Sequence, residues 1–351
     1  MNNGKRPILI AGPCSAETEE QVLQTAIRLF KTGKVDILRA GIWKPRTRPG
    51  AFEGIGAKGL PWLQKAKELT GLPVTVEVAK ASHVELCLEF GIDMLWIGAR
   101  TTVNPFAVQE IADSLKGVDI PVLVKNPINP DLSLWLGSME RLQNSGLTKL
   151  GAIHRGFSSA GEKIYRNRPQ WQIAIDFKTA MPDVPMINDP SHICGKRDML
   201  FKVAQKAMDL DFDGLMIESH ITPDTAWSDA SQQITPEVYG QMIADLIIRD
   251  EDPKNQKEKT KLDRLRKEID MIDDEIMNIL ASRMKVSREI GNYKKDNNMV
   301  ILQSERWKEV LHKYIDRGAQ NGLGADFVTR VIKSIHDESI EQQEKIMSGE
   351  I

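Results

Sequence analysis

Residues 35–41 read VDILRAG, and Ile42–Gly50 continue IWKPRTRPG. An apolar run ends at Arg39, and the next eleven residues hold two glycines and two prolines. That is a buried strand spilling into a loop. The same step recurs from residue 8 to about 250, in PILIAG, PVTVEV, MLWIGA, PVLVKN, KLGAIHRG, VPMINDPSH and GLMIESH. Amphipathic stretches such as SHVELCLEF and DMLFKVAQKAMDL lie between them. The repeat is roughly 30 residues, the size of one βαβ step. The strand cores are continuous apolar runs rather than alternations, as in parallel strands covered on both faces. Eight such units predict an α/β fold over residues 1–250, a (β/α)8 TIM barrel. An open doubly wound sheet is the competitor; eight regular units without a glycine-rich dinucleotide loop favour closure.

The 351 residues have room for one large domain and a smaller one. A hydrophobic share of 41% with 27% charged residues is that of a soluble globular protein. The formal net charge of −2 gives no basic field for nucleic acid or an anionic membrane. The opening MNNGKRPILIAG lacks the apolar core of a signal peptide, and no run is long enough to span a bilayer. Cys14, Cys87 and Cys194 form no paired framework, so a reduced, cytoplasmic protein is expected.

After the polar stretch RDEDPKNQKEK, Arg249–Lys259, the strand pattern stops. It reads as a linker (251–260) or the frayed start of a helix. Leu262, Leu265, Ile269, Ile272, Ile276 and Ile279 then recur at alternating spacings of three and four, the mark of a long amphipathic helix. Two further helices, about 304–317 and 325–345, complete an all-α three-helix domain over 261–351. A first helix of about 35 residues spans ~50 Å, more than two shorter helices cover, so dimerisation is expected to bury the rest. Ten basic and eight acidic residues are interspersed over Lys259–Asn297, which disfavours a nucleic-acid arm. Arg283 and Lys294 return to one helical face ~16 Å apart, while Arg266 lies ~25 Å before Arg283 and ~100° round. Arg266 reaches their pocket only from a second chain. Ser339 and Gln343 share a face at i,i+4.

In a barrel of this kind chemistry gathers at the C-terminal ends of the strands. Those positions hold Cys14, Arg39, Glu77, Arg100, Lys125, Arg155, His192 and Glu218. Four cations round one mouth repel each other unless anions bind there. Cys14, His192, Glu218 and Asp229 form a mixed sulfur, nitrogen and oxygen set, which leaves manganese, iron, cobalt and zinc open. Cys194 is a rival ligand two residues further along.

The motifs GPCSAE, RAGIWKPRT, IGARTT, HRGF, DPSH and IESH, in that order, resemble the 3-deoxy-D-arabino-heptulosonate 7-phosphate (DAHP) synthase family, type I beta short form. The resemblance implies condensation of phosphoenolpyruvate with erythrose 4-phosphate, the first step of the shikimate pathway. It implies a divalent metal, manganese foremost, on Cys14, His192, Glu218 and Asp229. It assigns Arg39 and Lys44 to the carboxylate end of phosphoenolpyruvate, and Arg100, Lys125 and Arg155 to its phosphate. Arg46 and Thr47 match contacts to the phosphate of the sugar. Lys44 and a metal-bound water are the candidates for proton transfer; Arg48 and Glu77 carry no assigned role. The related octulosonate synthase, which uses arabinose 5-phosphate, usually has KAN where this chain has KPRT.

The tail resembles the all-helical chorismate mutase family, through LRKEIDMIDDEIMNILASRMKVSREIGNYK, SERWKEVL and DESIEQQ. The resemblance implies rearrangement of chorismate to prephenate by Arg266 (from the partner subunit), Arg283, Lys294, Arg306, Ser339 and Gln343. Gln303 and Trp307 stand where many members have an acidic residue. The opposing reading is a dimeric ligand sensor without catalysis. Joining the first enzyme of a pathway to a later one predicts feedback inhibition by prephenate or chorismate bound in the tail, through domain rearrangement.

Overall fold

The computed structural model describes residues 6–45, 50–250, 253 and 255–350. They divide into two compact units, Met1–Glu251 and Asp252–Ile351.

The strands of the first unit are β1 (Ile8–Gly12), β2 (Ile37–Arg39), β3 (Val74–Val78), β4 (Met94–Ile97), β5 (Val122–Lys125), β6 (Leu150–His154), β7 (Met186–Asn188) and β8 (Gly214–Glu218). All pair in parallel and in sequence order, and β8 closes on β1. The helices are α1 (Glu19–Lys31), α2 (Leu60–Thr70), α3 (Ala81–Glu89), α4 (Ala99–Thr102), α5 (Pro105–Ser114), α6 (Leu132–Asn144) and α7 (Trp171–Ala180). The set continues with α8 (Pro190–Cys194), α9 (Leu200–Asp209) and α10 (Pro236–Asp245).

Alternate residues of each strand serve two cores, because side chains leave a strand on opposite faces. Ile10, Ile37, Trp96, Leu123, Ile153, Ile187 and Met216 fill the barrel interior. Leu9, Ala11, Leu38, Val74, Val76, Leu95 and Val124 point outward among the helices. Register then sets what meets at the mouth. Gly12 lies opposite Glu218, so the β1 loop starts level with the last residue of β8. Gly12 has φ +151°, and a Cβ there would lie 1.9 Å from the Arg39 carbonyl oxygen. Only glycine lets β1 and β2 end this close together.

The second unit consists of α11 (Gln256–Asp296), α12 (Ser304–Gln320) and α13 (Ala325–Ser348). At 41 residues α11 is longer than its periodicity suggested. It starts inside the polar stretch, because Asn255 accepts the Glu258 N–H at 3.0 Å as an N-cap. Ser287, Gly291 and Lys294 are buried on α11, as are Ser339, Gln343 and Ile346 on α13. Gly291 permits the approach: a Cβ there would lie 3.3 Å from the Gln343 Cα. The earlier half of α11 leaves Ile269, Ile272, Ile276 and Ile279 exposed at 57%, 56%, 47% and 66%. Among the described residues no helix is long and apolar enough to cross a membrane.

Candidate active site

Ligating atoms converge at the mouth of the barrel. A Cys14 sulfur, a Glu218 oxygen and an Asp229 oxygen all lie within 4.8 Å of one another. Cys14 and Asp229 come from the loops after β1 and β8, and Glu218 ends β8. His192, on α8, reaches the group through Glu218, with Nε2 3.6 Å from Oε1. Cys194 points elsewhere, into the outer core.

The donor set fits a divalent cation. His192 Nδ1 lies 2.7 Å from Asp189 Oδ2, and a carboxylate that close favours the tautomer with its proton on Nδ1. Nε2 is then a bare acceptor facing Glu218 Oε1, which among the described residues accepts no hydrogen bond and has only the Arg39 guanidinium, at 3.3 Å, as a counter-charge. Two acceptors confronted in a buried site favour a cation between them, and a carboxylate behind a ligating imidazole is the usual support. Lys44 Nζ donates to Cys14 Sγ at 2.9 Å, so a positive charge already stands at the sulfur. A Cβ on Gly41 would lie 3.1 Å from Lys44 Nζ and 2.5 Å from the Cys14 carbonyl oxygen; glycine leaves the lysine room to fold back.

Charges in the site are strongly perturbed. Burial, helped by Glu218, pushes the Cys14 thiol up to about 12. Burial opposes ionisation of Asp229, yet Arg166 at 3.0 Å, with His192 and Lys44, holds its carboxyl below the usual range. Burial also lowers the His192 pKa, which keeps the imidazole neutral and able to ligate.

The cations gather beside this group. Arg39 is 1% exposed, and its Nη2 lies 3.3 Å from Glu218 Oε1. Among the described residues its Nε and Nη1 have no hydrogen-bond partner. Buried guanidinium donors are costly to leave unmade, so an acceptor belongs there. Lys125 Nζ donates to Asp189 Oδ2 at 2.8 Å. Trp96 lies between the two, 5.0 Å from the Arg39 guanidinium carbon and 5.9 Å from Lys125 Nζ. Arg155 donates to Asn167 Oδ1 at 2.7 Å, and burial lowers its pKa to about 10 with Arg166 and Arg100 adding repulsion. Arg100 is exposed at the rim, on α4. Glu77 accepts from Trp96 Nε1 at 3.1 Å. Arg46, Thr47 and Arg48 lie outside the described residues.

Asp189 is the hub of this mouth, because it meets Lys125, His192 Nδ1 and the His192 backbone N–H. Burial opposes its charge, but His192 and Lys125 outweigh it and hold the carboxyl well below the ordinary range. Asp189→Asn is expected to destabilise the barrel by ~3–5 kcal/mol, since it leaves buried Lys125 uncompensated. Chemical denaturation of both proteins checks this. The ionised carboxylate contributes above the unfolded pKa near ~4, and that contribution fades as pH falls toward the folded value. The stability gap between the two proteins therefore narrows in acid.

In the second unit a smaller polar cluster joins α11 to α13. Arg283 donates to Ser339 Oγ, and Lys294 Nζ donates to Gln343 Oε1 at 3.1 Å and to the Ile301 carbonyl. Gln343 Nε2 donates to Ser287 Oγ at 3.3 Å. Trp307 stacks on His336 with ring centroids 4.0 Å apart, tying α12 to α13. Arg266 and Arg306 stay outside this cluster within one protomer. Arg266 is paired with Asp263 at 3.7 Å and Arg306 with Glu309 at 3.1 Å, both largely exposed.

The sequence profile of the DAHP synthetase I family matches residues 1–258. The chain belongs to that family. The profile of chorismate mutase type II matches residues 265–344, so a transferase barrel and an isomerase domain share one chain. The phospho-2-dehydro-3-deoxyheptonate aldolase of Thermotoga maritima is 33% identical over 238 residues, 68% of this chain and 68% of that protein. A crystal structure of phospho-2-dehydro-3-deoxyheptonate aldolase from Thermotoga maritima aligns with a TM-score of 0.61 at 30% identity, covering 68% of this chain and 67% of that one. The tail resembles part of a bifunctional chorismate mutase/prephenate dehydratase of Buchnera aphidicola, 36% identical over 83 residues. That match covers 24% of this chain and 22% of the relative.

Several groups at this DAHP synthase mouth escape a reading of strand ends. Asp189 sits inside DPSH, but nothing in that motif says its side chain turns back to cap its own helix and meet Lys125. Arg166 and Asn167 lie in the long loop after β6, where no periodicity marks them. Trp96 reads as core. The approach of two cations to its ring depends on barrel closure.

Proposed function

We propose that the barrel condenses phosphoenolpyruvate with erythrose 4-phosphate, and that the tail rearranges chorismate to prephenate. The observation that carries the first reading is Arg39, a buried guanidinium with two unmade donors beside a cation-ready cluster of Cys14, His192, Glu218 and Asp229. A planar fork of this kind suits a carboxylate. Arg39 and Lys44 hold the carboxylate of phosphoenolpyruvate; Arg100, Lys125 and Arg155 take its phosphate, and Arg46 and Thr47 that of the sugar. These contacts offset the mutual repulsion of two anionic substrates and align them. A divalent metal held by the four ligands, manganese foremost, would supply Lewis acidity at the aldehyde oxygen. The methylene carbon of phosphoenolpyruvate bonds to the aldehyde carbon, water adds at C2, and phosphate departs with the C2 oxygen bond. Lys44, which donates to Cys14 Sγ at 2.9 Å, is our candidate to carry a proton, with a metal-bound water as the other.

In the tail, Arg283 and the partner subunit's Arg266 clamp the chorismate carboxylates with Arg306 and Ser339, while Lys294 and Gln343 donate to the ether oxygen as its bond breaks. The exposed isoleucine row of α11 supports a homodimer, because four large apolar side chains on one face stay in water otherwise. Prephenate or chorismate bound in the tail acts as a feedback inhibitor of the barrel.

Loss of phosphoenolpyruvate absorbance tests the barrel reading. Metal-stripped protein is offered erythrose 4-phosphate or arabinose 5-phosphate, before and after manganese is restored. Turnover is expected only with erythrose 4-phosphate and metal, and prephenate is expected to slow it. Metal-free turnover with arabinose 5-phosphate would overturn the reading and point to the octulosonate reaction.

A further inference from the structure

Glu17 and His220 are buried, at 5% and 2% exposure, and the chemistry above uses neither. Both stand beside the metal cluster without entering it. Glu17 lies three residues after Cys14 on the β1 loop, and His220 two residues after Glu218 on the β8 loop. Glu17 Oε1 accepts the Trp227 N–H at 2.7 Å and the Ser15 hydroxyl at 3.3 Å. Its Oε2 faces His220 Nε2 at 3.4 Å. His220 Nδ1 accepts the Thr222 N–H at 2.9 Å, so the neutral ring carries its proton on Nε2, on the side of Glu17. Among the described residues that nitrogen has no hydrogen-bond partner, so Glu17 is its facing counter-charge rather than an aligned acceptor.

The location gives the pair its consequence. Of the four ligands, Cys14 and Asp229 come from loops, which have no strand ladder to hold them. Their 3.3 Å separation depends on ties between the two loops. Glu17 is one such tie: it anchors the backbone two residues before Asp229 from a point three residues after Cys14. Ser15 and Ser228 add a second, with hydroxyls 2.6 Å apart. A carboxylate is an expensive way to join two buried loops if packing is all that is needed. It does give directional ties through Oε1, to Trp227 and Ser15, and leaves Oε2 as a charge facing His220.

We propose that Glu17 and His220 are a positioning pair that holds the β1 and β8 loops at the spacing that sets metal affinity at Cys14 and Asp229. The inference rests on the reading of those residues as metal ligands. Residues that support ligands from behind typically change metal affinity by ~10–100-fold when altered.

The test uses the full chain, stripped of metal and titrated with manganese, with free ion followed by electron paramagnetic resonance. Glu17→Gln, which keeps an acceptor for Trp227, and His220→Gln are each expected to weaken manganese binding by ~10–100-fold. The double variant is expected to be little worse than either single one, because both remove the same contact. Phosphoenolpyruvate binding, read separately by tryptophan fluorescence without metal, is expected to stay unchanged. Should His220→Gln fail to fold, Ser228→Ala tests the parallel tie. Native manganese affinity in the folded variants would overturn the pair's role. So would an equal loss of phosphoenolpyruvate binding, which would mean that the whole mouth had loosened. Cys14→Ala runs beside them: if it binds manganese as the natural chain does, the metal reading itself falls and the pair's role falls with it. Weak binding in Cys14→Ala alongside unchanged Glu17→Gln would overturn the pair alone.

Discussion

Cys14→Ala is expected to bind manganese more than ~100-fold less tightly than the natural chain, beyond the effect of altering an outer support, and to turn over phosphoenolpyruvate at background rate. The sulfur stands in the group that could hold a cation, within 4.8 Å of a Glu218 and an Asp229 oxygen. Its loss leaves a mainly oxygen site on one side and frees the Lys44 ammonium that now donates to it. The thiol also has a proton to lose. Burial and Glu218 hold its pKa at about 12, so the metal-free protein carries Cys14 protonated at neutral pH. Metal uptake is therefore expected to release about one proton and to tighten as pH rises. Calorimetry in buffers of different ionisation enthalpy reads that proton directly. The Cys14→Ala protein should lose it, and a release of similar size in both proteins would place the proton elsewhere.

Lys294→Met is expected to lower the chorismate-to-prephenate rate constant by ~10²–10³, the usual cost of removing one donor from a developing oxyanion. Lys294 is buried to 8% exposure, and its ammonium donates to Gln343 and to the Ile301 carbonyl at one end of the α11–α13 cluster. Burial lowers its pKa, and it still offers a fixed donor at that end. KM should change less than kcat, because Arg283 and Ser339 remain to hold a carboxylate. A variant with native kcat would remove Lys294 from the reaction. If the natural chain does not turn chorismate over yet binds prephenate, the tail is a ligand sensor. Trp307, stacked on His336 where many relatives have an acid, is the residue to examine in that case.

Much of this protein is legible in its sequence for a physical reason. Parallel strands covered on both faces must be apolar throughout, so each strand announces itself as a short run, and the loop residues that follow announce its end. The closed eight-stranded barrel and the three-helix tail both follow from periodicity. Residue types at the strand ends are legible too, since Arg39, Lys125 and Glu218 stand where an apolar run stops. The length of α11 was less so. Its first turn is polar all round, and only the Asn255 cap marks where it begins.

Residue type and family resemblance group Cys14, Glu218 and Asp229, but local patterns do not give meeting partners, because these depend on register and loop closure across hundreds of residues. The pairing of Gly12 with Glu218 decides that Cys14 faces β8, and no local pattern encodes it. Asp229, 215 residues from Cys14 in the chain, reaches the sulfur through a left-handed backbone turn at φ +51°. Asp189 is in sequence only one letter of the DPSH motif, and the fold makes it the shared counter-charge of Lys125 and His192. Glu17 and His220 show the same division. As letters they are an acid in a loop and a histidine after a strand. Closure of the barrel buries them against each other, and burial is what turns an ordinary pair of polar side chains into a tie between two loops.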